Sequence, residues 1–255
     1  MDSFISEVPG APFDKTVDTL KCGKREMVVS GVVTTMFPTL EVIKKTIGLG
    51  ANFIIAHEPS FYNHLDETQW LENDDVYRYK WDLLTKNNIT IWRNHDYIHG
   101  HSPDGVLEGV VNQLNWKPYQ DANNNSVFNL AAMDVKTLIQ KLKTGLDISM
   151  VRYIGDLSQA CRKILLMPGA YGGKRQIEAI GATRPDVLVC GEIQEWETAE
   201  YIRDARSKGQ HISLIVLGHA VSEEPGAAYM ADWLKKKFPG VAATHIPSKG
   251  PFLFL

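Results

Sequence analysis

Cysteine is scarce in this sequence, and its few cysteines form no working pattern. The 255 residues include three, Cys22, Cys161 and Cys190, and no CxxC pair is present. An odd and scattered set argues against a disulfide framework, a zinc knuckle or a redox motif. We therefore expect three small buried hydrophobes in a reducing compartment.

Long apolar runs and an excess of positive charge are also missing. No run approaches the roughly 18–20 residues that span a bilayer, and the N-terminus lacks a basic start followed by an apolar stretch. These features predict a cytoplasmic protein with no membrane partner. The net charge of -3 argues against nucleic acid as a partner, because phosphate-binding proteins usually carry a basic excess.

Motifs for covalent catalysis and for nucleotide phosphate loops are absent as well. The chain has no Gly-x-Ser-x-Gly elbow, and none of its cysteines neighbours a candidate catalytic histidine. The glycine-rich segment 169–173 lies between a predicted strand and a predicted helix. It has neither the Lys-Ser/Thr pair of a P-loop nor a full GxGxxG. It therefore predicts a tight turn.

What the chain does have is an alternation of short apolar runs and helical periodicity. This alternation predicts an α/β fold with mostly parallel sheets, built as two similar halves that face a central metal cleft. The polar segment 115–125 predicts a boundary between an N-terminal half, 1–120, and a C-terminal half, 121–255. Strands are expected at 27–33, 51–56, 89–93, 127–130, 151–155, 163–167, 186–190, 212–217 and 241–246, and helices at 40–49, 67–87, 105–114, 135–146, 174–180, 195–207 and 225–238.

Polar clusters follow three of the predicted strands. The carboxyl ends of parallel strands form the edge where α/β proteins bind ligands, and imidazole with carboxylate suits divalent transition metals such as zinc, iron or manganese. Any one cluster alone is more simply explained by solvated surface residues. Together they exceed the four ligands of one tetrahedral ion and predict a dinuclear centre with a bridging carboxylate. The clusters are His57 with Glu58, His95 with His99, and His219 with Glu223.

These segments resemble the motifs of the Nif-three-like dinuclear metal-centre family, often called type 2 GTP cyclohydrolase I homologues. The family's apolar strand ending in His-His-Pro is similar to segment 53–59, which ends in His57-Glu58-Pro59. Its His-xxx-Asp motif is similar to His95-xxx-His99. Its Gly-His-xxx-Glu motif matches segment 218–223 most closely, and the likeness covers nearly the whole chain.

The resemblance implies a ligand set and an assembly. It places metal ligands at His57, His99, His219 and Glu223, with Glu58 where the family has a second histidine. His99 stands where the family has an aspartate, so the two departures together keep one carboxylate and one imidazole. The family also implies a toroidal homo-hexamer made of dimers.

Two functions remain open at this level. The first is a metal-dependent hydrolase of a nucleotide-like or phosphate-containing small molecule, with Glu192 or Asp96 as the general base or as a residue that supports the ligands. The second is a non-catalytic metal-binding, metal-handling or protein-interaction scaffold. A catalytic site keeps an open metal position, whereas a structural site saturates its ligands.

Overall fold

The computed structural model describes residues 1–253 and divides the chain into two compact α/β units. Among the described residues, the first unit comprises 1–109 and 226–248, and the second comprises 110–225 and 249–253. The sequence predicted a single boundary between residues 120 and 121. The fold instead returns the segment 226–248 to the first unit, because a late strand pairs with the sheet there.

Each unit contains one five-stranded sheet with a parallel centre. The first sheet has the order β1-β4-β3-β2-β10, in which only β1 is antiparallel to its neighbour. The second has the order β5-β7-β8-β9-β6, with both edge strands antiparallel. The strands are β1 (Leu20–Cys22), β2 (Val32–Thr35), β3 (Phe53–Ala56), β4 (Thr90–Arg93), β5 (Val127–Asp134), β6 (Arg152–Ile154), β7 (Ala160–Met167), β8 (Val187–Cys190), β9 (Ser213–Val216) and β10 (Ala243–His245).

Nine α-helices are found among residues 1–253, with short 3₁₀ or π segments at Gln69–Leu71, Lys117–Tyr119 and Glu195–Ala199. Side-chain caps begin several of them; Thr39 Oγ1, for example, accepts a hydrogen bond from the Val42 amide at the start of α2. The helices are α1 (Asp2–Ile5), α2 (Leu40–Gly48), α3 (Asp75–Lys86), α4 (Asp96–Gly100), α5 (Gly105–Leu114), α6 (Val135–Leu146), α7 (Gly173–Thr183), α8 (Glu200–Ser207) and α9 (His219–Lys237). Within this part of the chain, none combines the length and apolar composition needed to cross a bilayer.

The central strands are buried on both faces, as parallel strands usually are. In the first unit, Val33 and Ile54 belong to one apolar cluster, while Val32 and Phe53 belong to another on the opposite face. In the second unit, alternate residues of β7, β8 and β9 share one cluster with α8. The three cysteines are buried, as expected from the sequence.

Two predicted elements were wrong in ways that bear on the site. The strand expected at 27–33 begins only at Val32, because the Asn52 side chain bonds the Ser30 amide and the Val28 carbonyl and holds that segment as a loop. The last helix begins at His219 rather than at Pro225, which lies inside α9. Ser222 lies inside this helix, where its hydroxyl donates to the His219 carbonyl, 2.7 Å away.

Candidate metal centre

Three histidines of the first unit lie together at the carboxyl end of its sheet. One ring nitrogen from each of His57, His95 and His99 lies within 4.8 Å of the others. The rings of His57 and His95 are stacked with centroids 4.8 Å apart, and the His99 ring lies 5.1 and 5.0 Å from them. Three imidazoles this close form a donor set for a divalent transition metal.

The sheet topology brings these histidines together. His57 directly follows β3, and His95 follows β4 after one residue. The two strands are parallel neighbours in register, so their ends meet at one edge. Helix α4 then places His99 one turn after His95, and the His99 amide bonds the His95 carbonyl at 3.2 Å.

A hydrogen-bond acceptor fixes each of these rings through Nδ1. The His57 Nδ1 donates to the Asn94 carbonyl at 3.2 Å, His95 Nδ1 to Asp96 Oδ1 at 2.9 Å and His99 Nδ1 to Asp104 Oδ2 at 2.9 Å. Carbonyl and carboxylate oxygens only accept, so Nδ1 carries the ring proton. Nε2 is therefore the metal-binding atom on all three rings.

Burial also keeps His95 neutral. Desolvation, together with the nearby His57 ring, lowers the pKa of His95 to about 4, even though the Asp96 carboxylate opposes the shift. Asp18 holds the turn that carries this ring, since its two carboxylate oxygens accept from the His95 and Tyr97 amides at 2.7 Å each. A neutral imidazole is the form that binds a metal.

Glu58 sits beside the three histidines but pairs with a fully buried arginine. Its Oε2 lies 3.4 Å from Arg93 Nη2, and its Oε1 lies 3.7 Å from His95 Nε2. The Arg93 guanidinium also donates to the carbonyls of His57 and His64. Its Nη1 lies 3.6 Å from Asp66, which in turn pairs with Lys21 at 3.3 Å. The carboxylate of Glu58 is thus neutralised by a buried cation.

The second unit brings together the remaining predicted residues on β8 and α9. His219 Nδ1 donates to Glu192 Oε2 at 2.9 Å, and His219 Nε2 lies 3.1 Å from Glu223 Oε2. His219 and Glu223 are four residues apart in α9, a spacing that puts both on one helix face. Glu223 is buried, whereas Glu192 is exposed. A cation bound by His219 Nε2 would also be within reach of the Glu223 carboxylate.

Glycines make room for Glu223. Gly169 has a φ of +77°, and a Cβ there would collide with the Glu223 carboxylate; a Cβ on Gly191 would collide with the Ser222 hydroxyl. The Ser222 hydroxyl accepts from the Gly169 amide at 2.9 Å. The glycine-rich segment is thus the turn that the sequence predicted, and it also packs against a candidate ligand.

A family model agrees with this arrangement of motifs. The model of Duf34/NIF3 (NGG1p interacting factor 3) matches residues 16–251. The chain belongs to this family. A Clostridium perfringens protein named GTP cyclohydrolase 1 type 2 homolog is 24% identical to this NIF3-family chain over 253 residues, which cover 92% of the chain and 90% of that protein.

Solved structures of the same fold are also similar. A hypothetical protein of Staphylococcus aureus superposes with a TM-score of 0.78 at 20% identity, covering 100% of this chain and 97% of that one. A Bacillus cereus protein related to NIF3 gives a TM-score of 0.77 at 17% identity, with the same coverage. These likenesses show that the two α/β halves are those of the NIF3 fold.

The structure gives each of the two predicted general bases, Asp96 and Glu192, a histidine partner. Asp96 accepts from Thr16 Oγ1, the Val17 amide and His95, and Glu192 accepts from His219. Both carboxylates orient histidines; a catalytic role for either stays a prediction. Sequence reasoning missed Asp104, although it lies five residues after His99 and begins α5.

Buried Lys80 is a second cation that interacts with Asp66, the acidic partner of Arg93. Its ammonium donates to the Ser60 carbonyl at 2.5 Å and lies over the rings of Phe61 and Tyr62. Burial lowers the pKa of Lys80 from 10.5 to about 8 against the opposing charge of Asp66. The folded protein therefore binds fewer protons than the unfolded chain between these two values, so stability rises with pH across this window.

This shift predicts a measurable pH dependence. The free energy of unfolding of the wild type, minus that of Lys80→Met, should rise by about 2 kcal/mol between about pH 7 and about pH 10. Chemical denaturation at a series of pH values measures it. Lys174→Met removes an ammonium that is 87% exposed and gives the background. If the stability difference for Lys80→Met changes with pH no more than the difference for Lys174→Met, the lowered pKa of Lys80 is contradicted.

Proposed function

We propose that this NIF3-family chain binds two divalent transition-metal ions and hydrolyses a nucleotide-like or phosphate-containing small molecule with their help. One observation carries the proposal: every candidate histidine ligand has its Nδ1 held by an acceptor, and three of the four acceptors are carboxylates. Carboxylate–histidine pairs of this kind are typical of metal sites, where they fix the ring and strengthen the ligand.

The donors divide between the two units. His57, His95 and His99 would hold one ion, and Glu58 lies beside them. His219 and Glu223 would contribute to a second, and these two donors are fewer than the four that zinc takes. The sequence-based prediction that the two sets complete one dinuclear centre, with Glu223 as its bridging carboxylate, is part of this proposal.

The residues present suit hydrolysis. A bound divalent ion polarises a phosphoryl or carbonyl oxygen and lowers the pKa of water. Glu192 is the exposed carboxylate of the second set, placed to accept a proton at the Oε1 atom while its Oε2 holds His219. Asp96 has both oxygens engaged within the protein, so we assign it to orienting His95.

Turnover by the metal-loaded protein tests the function. The substrates are GTP, because relatives are named GTP cyclohydrolase 1 type 2 homolog, then other nucleotides and simple phosphomonoesters. We expect release of phosphate or opening of the purine ring, which Glu223→Gln reduces by at least about 100-fold. The wild type and the variant are each loaded with zinc, manganese or iron. If both show only the background rate of turnover, the non-catalytic alternative is favoured. The family description, an interacting factor, supports that alternative.

Assembly and location remain parts of this proposal. The homo-hexamer implied by the resemblance and the cytoplasmic location implied by the sequence stay predictions. Light scattering on the purified protein would test the assembly, since a particle of 28.6 kDa would be a monomer.

Asp104 offers a sharper test of the histidine geometry. Its Oδ1 accepts from the Val106 and Leu107 amides at the start of α5, while its Oδ2 accepts from His99. Asp104→Asn keeps the amide acceptor but turns an N–H toward His99 Nδ1, so the ring proton moves to Nε2. Zinc affinity should fall about 10–100-fold.

A matched control exists for this substitution. Asp134 begins α6 in the same way, accepting from the Thr137 amide at 2.7 Å, and has no histidine partner. Asp134→Asn should bind zinc like the wild type in isothermal titration. Equal zinc affinity in both variants would show that the Asp104–His99 bond has no part in metal binding.

A further inference from the structure

We infer that Trp196 is a nucleobase-stacking residue, and that the ligand at the carboxyl end of the second sheet is a nucleotide rather than a phosphate compound without a base. The inference rests on the proposed function and names its substrate class. It concerns residues of the second unit alone.

Trp196 is exposed at the end of the sheet where a ligand is expected. It is 75% exposed, although burial of so large a ring would be favourable. It lies four residues after Glu192, beyond the carboxyl end of β8, where α/β sheets bind ligands. Four residues span at most about 14 Å, which is the length scale of a nucleotide. One nucleotide can therefore reach both residues.

An irregular helical turn carries Trp196. Glu195–Ala199 is a π segment, in which the Glu200 amide bonds the Glu195 carbonyl five residues back instead of four. Such turns are rare and occur mostly at functional sites. The π segment is thus a sign, independent of the exposed ring, that this part of the chain does more than connect β8 to α8.

Side-chain contacts fix the residues on both sides of Trp196. Glu195 Oε1 accepts from Arg152 Nη1 at 2.9 Å, and Glu197 Oε2 accepts from the Gly173 amide at 2.8 Å. A Cβ on Gly173 would collide with Glu197, so the two segments pack closely. The backbone that carries the ring is ordered before a ligand binds, which lowers the entropic cost of binding.

A buried bridge connects the same segment to Glu192. Thr198 Oγ1 donates to Gln176 Oε1 at 2.5 Å, and Gln176 Nε2 donates to the Glu192 carbonyl at 3.1 Å. The Thr198 and Gln176 side chains are fully buried. Since Glu192 also accepts from His219, the tryptophan and this candidate metal ligand belong to one ordered network.

The indole ring selects the class of ligand. A flat aromatic base stacks on such a ring, and the stacking contributes to affinity whichever base is present. A sugar phosphate without a base has no surface that stacks in this way. A nucleotide contacts this end of the sheet at two points, with its phosphate at the candidate metal ligands and its base on Trp196.

Isothermal titration of the zinc-loaded protein tests the inference with GMP, AMP and ribose 5-phosphate, which share the sugar phosphate and differ in the base. The wild type should bind both nucleotides more tightly than ribose 5-phosphate, and the nucleotides should quench part of the tryptophan fluorescence. Trp196→Ala should weaken GMP and AMP binding by at least about 10-fold, abolish this quenching and leave the affinity for ribose 5-phosphate unchanged. Trp196→Phe keeps an aromatic face and should weaken nucleotide binding by less than about threefold.

Trp70→Ala is the matched control. Trp70 is 65% exposed but lies in the first unit, so this variant removes a similar fluorophore from a different sheet. It should bind all three probes like the wild type and retain the quenching. Because the Trp196 side chain is itself exposed, Trp196→Ala should keep the circular dichroism and the thermal unfolding of the wild type.

The inference is overturned if the wild type binds GMP no more tightly than ribose 5-phosphate. It is also overturned if Trp196→Ala weakens all three probes equally, or if Trp196→Phe binds nucleotides as weakly as Trp196→Ala. Turnover separates these results from the proposed function. Nucleotide binding as expected, with no turnover of any substrate, would contradict the hydrolase proposal alone. Turnover of phosphomonoesters with no preference for a base would contradict the role of Trp196 alone.

Discussion

Arg93→Met should lower the free energy of unfolding by about 3–5 kcal/mol, which is the usual cost of removing one partner of a buried ion pair. Arg93 is fully buried, and its guanidinium serves Glu58, Asp66 and the carbonyls of His57 and His64. Methionine fills similar space but leaves the two carboxylates less compensated and both carbonyls without this donor.

A surface pair provides the control. Arg152 pairs with Glu195 at 2.9 Å, and both side chains are more than half exposed. Arg152→Met should change stability by less than about 1 kcal/mol, because water screens such pairs. Urea denaturation of both variants gives the comparison. Equal losses would mean that the Arg93 network contributes no more than an exposed ion pair.

Adding Glu58→Gln to Arg93→Met should recover part of the lost stability, because it removes the charge that the first change leaves uncompensated. Asp66 keeps Lys21 as a partner, so it contributes less to the loss. If the double variant is destabilised by the full sum of the single effects, Glu58 and Arg93 are not energetically coupled.

Local sequence signals were enough for most of the fold. Helices α5 and α6 have the predicted bounds, and the apolar runs that became β3, β4, β8 and β9 were located to within two or three residues. Such elements depend on periodicity and capping within a short window. The pairing of β10 with β2 joins residues about 210 positions apart, and no local pattern encodes it. That pairing is the reason the units do not divide the chain in two consecutive halves.

The candidate site likewise contains residues that the local sequence predicts and residues that only tertiary contacts bring in. His57, His95, His99, His219 and Glu223 could be named as candidates because each follows a strand end that the sequence predicts. Their supporting residues depend on tertiary contacts: Asp18 bonds a turn 77 residues away, and Arg93 reaches Glu58 across 35 residues. Arg93 was assigned to an ordinary strand end. The pairing of its buried guanidinium with Glu58 and Asp66 depends on tertiary packing, which no local sequence pattern shows.

Gly169→Ala should lower the free energy of unfolding by about 2–4 kcal/mol. A φ of +77° is costly for any residue with a Cβ, and that Cβ would collide with the Glu223 carboxylate. The Gly169 amide and carbonyl also bond Ser222 and Glu192, so the loop has little freedom to retreat.

The Glu223 side chain, rather than the loop that carries Gly169, should therefore move. A displaced Glu223 can no longer lie 3.1 Å from His219 Nε2, and zinc bound by this pair should be lost from a protein that still folds. Gly181→Ala is the matched control: its Cβ would meet open space at an exposed position of α7, and it should raise stability by up to about 1 kcal/mol. Denaturation and zinc stoichiometry measure both effects. A Gly169→Ala protein with wild-type stability and a full complement of zinc would show that the glycine turn does not position Glu223.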